Sequence, residues 1–119
     1  MTDTILLSLP TSPRLRDVAT LVLGGLGSRL QLPYARVDDL QLAALSVLSA
    51  ATDETVTLEV AAGEEALRVG IGPLTGGTGE DHGLRRVLER LVDGVEPVER
   101  DGREWLTLEV RREDAEASS

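Results

Sequence analysis

One stretch, Asp38-Asp39-Leu40-Gln41-Leu42-Ala43-Ala44-Leu45-Ser46-Val47-Leu48-Ser49-Ala50-Ala51, limits what this chain can fold into more than any other. From Leu40 to Ala51 only Gln41, Ser46 and Ser49 break an apolar run. A helix built from it has almost no side left for water and is buried on more than one flank. Asp38 and Asp39 open the stretch, where carboxylates meet the positive end of a helix dipole and can accept from free amides. A central helix is therefore expected, packed on a sheet and covered by its neighbours.

The partner sheet is legible on both sides of that helix. Thr4-Ile5-Leu6-Leu7-Ser8-Leu9 reads as a short first strand closed by Pro10, and Ser12-Pro13 has the form of a helix cap followed by a first-turn proline. Leu15, Val18, Ala19, Val22, Leu26 and Leu30 then recur at helical spacing. Gly24, Gly25 and Gly27 interrupt the far half, each costing ~1 kcal/mol against alanine. The favoured reading is close packing of another element there. After a connection over Leu32-Pro33-Tyr34-Ala35-Arg36 and the central helix, Val56, Leu58 and Val60 alternate with Thr55, Thr57 and Glu59. A turn around Gly63 leads to Leu67, Val69 and Ile71, alternating with Arg68 and Gly70, so the two runs form an antiparallel hairpin.

Gly72 to His82 reads as a long glycine-rich loop. Leu84, Val87, Leu88, Leu91 and Val92 mark a third amphipathic helix, with Arg85, Arg86, Glu89 and Arg90 on its polar side. A final hairpin runs from Val95 to Arg111 around Asp101-Gly102. Residues 112–119 read as a polar, disordered tail after a single domain over 1–111. The order β-α-α-β-β-α-β-β predicts an α+β two-layer sandwich, with a mixed, mostly antiparallel sheet and three helices on one face.

Composition narrows the function classes. The chain has 119 residues, no cysteine and one histidine, which removes disulfides and thiolate metal sites and disfavours a histidine metal cluster. All 12 basic residues are arginine, against 21 acids, for a net charge of −9, and nucleic-acid binding needs the opposite sign. No apolar run reaches the ~20 residues of a membrane span, and the acidic Met-Thr-Asp-Thr start is unlike a signal peptide, so a cytoplasmic location is expected. With Tyr34 and Trp105 the only aromatics, the core must be aliphatic.

The glycine loop suggests a phosphate cradle but lacks the lysine and hydroxyl that close a Walker loop. Gly77 to Gly83 also has one residue too many for the dinucleotide fingerprint, and Glu80 and Asp81 would repel phosphate. It reads better as plain loop. His82 reads as a solvated loop histidine and Asp38-Asp39 as a cap rather than a cation site. Arg85, Arg86 and Arg90 are either a contact face for an acidic partner or an ordinary solvated helix side.

In order and spacing, several segments resemble the bacterial anti-sigma factor and serine-protein-kinase branch of the GHKL (Bergerat-fold, histidine-kinase-like) ATP-binding domains. Leu9-Pro10-Thr11-Ser12-Pro13 looks like that family's opening strand and helix start, and Asp39-Leu40-Gln41-Leu42-Ala43 like the run into its central helix. Gly83-Leu84 with Val87-Leu88-Glu89-Arg90-Leu91-Val92-Asp93 resembles its last glycine box and following helix. Asp101-Gly102 and Trp105-Leu106-Thr107-Leu108 resemble its closing hairpin, so the likeness spans about Ile5 to Val110.

The resemblance implies a nucleotide site whose chemistry this chain lacks. Where active members carry a glutamate base and, four residues on, a magnesium-holding asparagine, this chain has Ser46 and Ala50. The position of the adenine-binding aspartate falls on Ile71 or Pro73, and Asp81 replaces the first glycine of the box that continues with Gly83 and Leu84. The expectation is a regulatory protein-binding domain resembling an anti-sigma factor, a pseudokinase without nucleotide or magnesium, with Leu48, Ala51, Ile71 and Leu74 closing the vacated space. The alternative is an ATP-binding serine-protein kinase that uses atypical residues with ATP and magnesium. The implied partner is a protein, a sigma factor or its antagonist, and not nucleic acid or a membrane. Trp105, Arg85, Arg86 and Arg90 are the contact candidates. A homodimer through the sheet face away from the helices is also expected, because Trp105 falls on that face by alternation.

Overall fold

A computed structural model describes residues 3–10, 13–50, 55–74 and 77–112. The elements are β1 (Asp3–Pro10), α1 (Pro13–Arg29), α2 (Tyr34–Ser49), β2 (Thr55–Ala62) and β3 (Ala66–Leu74). A single 3-10 turn (Thr78–Glu80) follows, then α3 (His82–Leu91), β4 (Gly94–Arg100) and β5 (Arg103–Arg111). The five strands form one sheet in the order β1-β2-β3-β5-β4. Every pairing is antiparallel, so the parallel component of the expected mixed sheet is absent among the described strands.

Period-two alternation places Val56, Leu58 and Val60 of β2, Leu67, Val69 and Ile71 of β3, and Leu106, Leu108 and Val110 of β5 on one face, all buried. Those residues and apolar residues from all three helices belong to one continuous core. Three helices on one face of an α+β sandwich is therefore the observed architecture. At roughly 1.5–3 kcal/mol for each fully buried aliphatic side chain, this core is the main source of stability. No polar or charged residue is fully buried among the described residues.

The central helix starts earlier than its acids suggested. α2 begins at Tyr34 behind Pro33, which supplies no side-chain cap, so Asp38 and Asp39 lie inside the helix and cap nothing. Proline at that position needs no N–H of its own, and its fixed φ suits entry into a helix. α2 buries Val37, Leu40, Ala43, Ala44, Val47 and Leu48.

α1 runs unbroken through all three glycines. A Cβ built on Gly27 would lie 2.5 Å from Val37 Cγ2, and one on Gly24 would lie 2.9 Å from Gln41 Nε2. Gln41 in turn donates to the carbonyl of Thr20 at 2.8 Å. Gly24 and Gly27 thus let α2 approach α1 closely, as the sequence reading favoured, while Gly25 has nothing within 4 Å.

The glycine-rich segment is shorter as a loop than expected. β3 continues through Gly72 and Pro73 to Leu74, and α3 already starts at His82. The β3–β5 register shifts between Ile71 and Leu74. A proline in an interior strand is tolerated at such an irregularity because its missing N–H breaks no regular rung.

At the far end of the sheet two side chains fasten the last strand. Asp93 accepts from the Arg111 amide at 2.6 Å and pairs with Arg36 of α2. Arg112 donates to Gly63 O at 3.2 Å and Leu30 O at 3.4 Å, while its amide donates to Glu65 O at 2.8 Å. Arg112 is therefore part of the folded unit, one residue beyond the expected boundary, and the remainder of the anticipated tail lies outside the described residues. No helix among the described residues is long and apolar enough to cross a membrane.

Candidate functional site

The positions singled out by the family resemblance fall into two places. Ser46 lies on α2, partly buried, and its hydroxyl donates to Leu42 O of the same helix at 2.8 Å. Ala50 is the C-cap residue of α2. Ile71, fully buried, sits in β3 with Pro73 two residues on. Leu48, Ile71 and Leu74 are buried, as expected, and Ala51 lies outside the described residues. Leu48, Ile71 and Leu74 belong to the aliphatic core, while the Ser46 hydroxyl is engaged with its own helix backbone.

The second place is the start of α3. Asp81 is its N-cap, accepting from the Leu84 amide at 3.1 Å. This role is missed when the residue is read only as a charge misplaced in a glycine box. The signal was present, since an aspartate directly before a helix is a favoured cap. Gly83 sits within α3, and a Cβ there would meet Asp81 Oδ1 at 3.4 Å, so the carboxylate occupies the space in front of it. Leu84 packs on the core.

His82, expected in a loop, is the first residue of α3 and is exposed. With Glu80, Arg85, Arg86 and Glu89 it lines an open groove of about 670 Å³. Arg85 pairs with Glu89 at 3.6 Å one helical turn away. Arg86 and Arg90 are exposed, and Val87, expected on the apolar stripe, is 46% exposed on the same helix. Guanidinium, carboxylate and imidazole groups all line this wall. No group of three or more His, Cys, Asp or Glu among the described residues is placed to hold a metal ion.

The outer face of the sheet holds an arrangement that sequence reasoning missed. Gly72 has no side chain, and the Trp105 ring lies directly on it: a Cβ there would be 2.4 Å from Cδ2 and 2.5 Å from Cγ. Arg100 of β4 places its guanidinium carbon 4.5 Å from the Trp105 ring centroid. From there it reaches past Gly70 to Glu59 of β2, donating to both carboxylate oxygens at 2.9 and 3.2 Å. The hydrogen bonds from Arg100 hold the Glu59 carboxyl below its ordinary pKa, partly opposed by desolvation, and the same bonds raise Arg100. Nearby, Arg68 pairs with Glu109 at 2.9 Å. Trp105 is partly buried in these contacts.

The sequence matches no protein-family model and no curated protein.

Proposed function

We propose that this chain is a regulatory protein-binding domain of the anti-sigma-factor kind, with the Bergerat-type fold kept and the nucleotide chemistry lost. One observation carries the reading. The positions that would need a base, a magnesium ligand and an adenine acceptor are an engaged serine, an alanine and either buried Ile71 or Pro73. Magnesium demands oxygen ligands and a general base needs a group that can take a proton; neither is supplied here. The apolar packing of Leu48, Ile71 and Leu74 supports the same reading, because a nucleotide would have to displace core side chains. The mixed-charge wall of α3, with Arg85, Arg86 and Arg90, is the surface on which a sigma factor or its antagonist would dock.

Calorimetric titration with magnesium-ATP and magnesium-ADP tests the first half. No saturable heat is expected at up to ~1 mM ligand, and a micromolar, magnesium-dependent dissociation constant would establish the ATP-binding alternative instead. Titration with the sigma factors of the same genome tests the second half. Reversing Arg85, Arg86 and Arg90 to glutamate should abolish the complex.

A further inference from the structure

The outer side of the helix layer carries a patch that neither the core nor the α3 wall uses. Tyr34, Asp38 and Leu42 follow at intervals of four along α2, and Asp17, Leu21 and Gly25 do the same along α1, so each trio forms one stripe. Both stripes point away from the sheet, since α1 buries Leu15, Ala19 and Leu23 and α2 buries Leu40, Ala43 and Val47 on their opposite sides. Tyr34 is 90% exposed, Leu21 74% and Leu42 55%. Exposed apolar residues scattered singly need no explanation, whereas a contiguous group bordered by polar residues marks a contact surface.

The contacts between the two antiparallel helices fix how the stripes lie side by side. Gln41 reaches Thr20 O at 2.8 Å and lies over Gly24, while Val37 lies over Gly27. Leu21 and Leu42 are therefore level with each other, with Asp17 about one turn to one side and Asp38 about one turn to the other. Neither aspartate makes an ion pair among the described residues. Arg16, across the valley from α2, is held by the Ser49 hydroxyl. Arg14 precedes Asp17 by one turn and Asp39 follows Asp38, so the Asp38 end is the more acidic.

Gly25 adds an independent observation. A glycine inside a helix weakens it relative to alanine, and Gly24 and Gly27 offset that by admitting α2. Around Gly25 nothing lies within 4 Å of the place a Cβ would take, so the folded chain makes no use of its small size. Bare backbone on an outward stripe lets a second backbone come close.

We propose that Leu21, Leu42 and Gly25 form the seat for an amphipathic helix of a partner protein, one that carries a basic residue at each end of a short apolar stripe. Laid along the valley between α1 and α2, such a helix meets Asp17 and Asp38 with cations about seven or eight residues apart, ~12 Å along its axis, and sets its apolar side chains between them. Charge selects this occupant. A net charge of −9 and a carboxylate at each end of the patch repel a second copy, and they repel an anionic lipid surface as well. A basic helix is drawn in, and the two carboxylates set its register. α2 lies between α1 and α3, so this seat is separate from the α3 wall and the inference does not depend on the regulatory reading above.

The probe is a fluorescein-labelled peptide of about 16 residues on an alanine and glutamine background. It carries two arginines seven residues apart and leucines three and four residues after the first, which places all four on one face. A control peptide of the same composition has the arginines on the opposite face. Anisotropy titration with the full chain should give a saturable dissociation constant of about 10–500 μM for the first peptide and at least about tenfold weaker binding for the control. Leu42→Ser and Asp38→Arg should each weaken the complex about tenfold or more, and Asp17→Arg less. Replacing the arginine that faces residue 38 by glutamate should restore binding to Asp38→Arg. Gly25→Leu fills open space and favours the helix, so it should keep or raise the unfolding midpoint while abolishing binding. No saturable binding, equal affinity for the two peptides, or binding untouched by Gly25→Leu would overturn the proposal. So would flotation of the chain with phosphatidylcholine vesicles, or a dimer in sedimentation, that Leu42→Ser removes, since either assigns the patch to a different occupant.

Discussion

Replacing Gly72 by alanine isolates the outer-face arrangement in a single methyl group. Gly72 has an ordinary extended backbone, so alanine adds no backbone strain, and the unfolded chain becomes less disordered by an amount worth about 0.4–1 kcal/mol in favour of folding. Against this, the new Cβ would sit 2.4, 2.5 and 2.8 Å from three atoms of the Trp105 ring. A rigid fused ring cannot bend aside as a flexible side-chain end would, and it must lift by roughly an ångström or swing away. Displacing it removes the Arg100 stacking, about 0.5–1 kcal/mol at a partly exposed site, and loosens the two-pronged Glu59 contact, up to about 1 kcal/mol. Exposing more of a partly buried indole adds roughly another 1 kcal/mol.

The net expectation is a loss of about 1–3 kcal/mol. Urea unfolding followed by intrinsic fluorescence reads it directly, because Trp105 is the only tryptophan. The midpoint should fall and the native emission should shift to the red. In a Trp105→Val background the same Gly72→Ala change should be neutral or slightly stabilising, since nothing remains to clash. An unchanged midpoint and spectrum in the wild-type background, or the same loss in both backgrounds, would refute the reasoning.

Glu59 titrates lower in the folded chain than its ordinary value of 4.5, so its contribution to stability is present above that pH and disappears as pH falls through the folded value. The stability gap between wild type and Glu59→Gln, measured by denaturant unfolding, should be about 1 kcal/mol or less near neutrality and close on acidification; a gap that widens in acid contradicts the assignment. Within α1, Gly27→Ala should destabilise by about 1–2 kcal/mol, because its Cβ meets Val37 at 2.5 Å and outweighs the helix-propensity gain. Gly25→Ala, with nothing within 4 Å, should stabilise by up to about 1 kcal/mol, and thermal melts of the two variants should therefore move in opposite directions.

Where the sequence carried the fold, it did so through periodicity. The strict alternation around Leu58 and Leu108 needed no tertiary information to be read correctly, whereas the stripe read along α1 passed over Leu23, which is fully buried. The start of α2 was obscured because Asp38-Asp39 imitates a cap while the true entry, Pro33-Tyr34, offers no capping side chain. Gly72-Pro73 looked like loop because glycine and proline usually punctuate strands. Here the glycine stays in the strand to hold an indole, a reason visible only once β3 and β5 are side by side. The Arg100–Glu59 contact joins residues 41 apart in the chain and depends on the register of four strands, which no local pattern encodes. At the candidate site, the absence of acid and amide at Ser46 and Ala50 was legible residue by residue. The capping role of Asp81 carried a signal too, an aspartate directly before a helix, but reading Gly72 to His82 as loop hid it.

The position of β5 also bears on how the chain is made. It is the last strand in sequence but lies inside the sheet, between β3 and β4. A nascent chain emerging from the ribosome can pair β1 with β2 and β2 with β3 early, yet β3 keeps one raw edge until residues 103–111 have cleared the exit tunnel. Until then the apolar face of the half-built sheet has only part of its partner layer, and β4, the strand with the acids and the proline, has no neighbour to hold it. Stretches of a half-built sheet exposed in the meantime are open to capture by other chains. For this protein the interval ends with Arg111 and Arg112, whose contacts with Asp93, Gly63 and Leu30 draw the finished strand against parts of the molecule synthesised long before it.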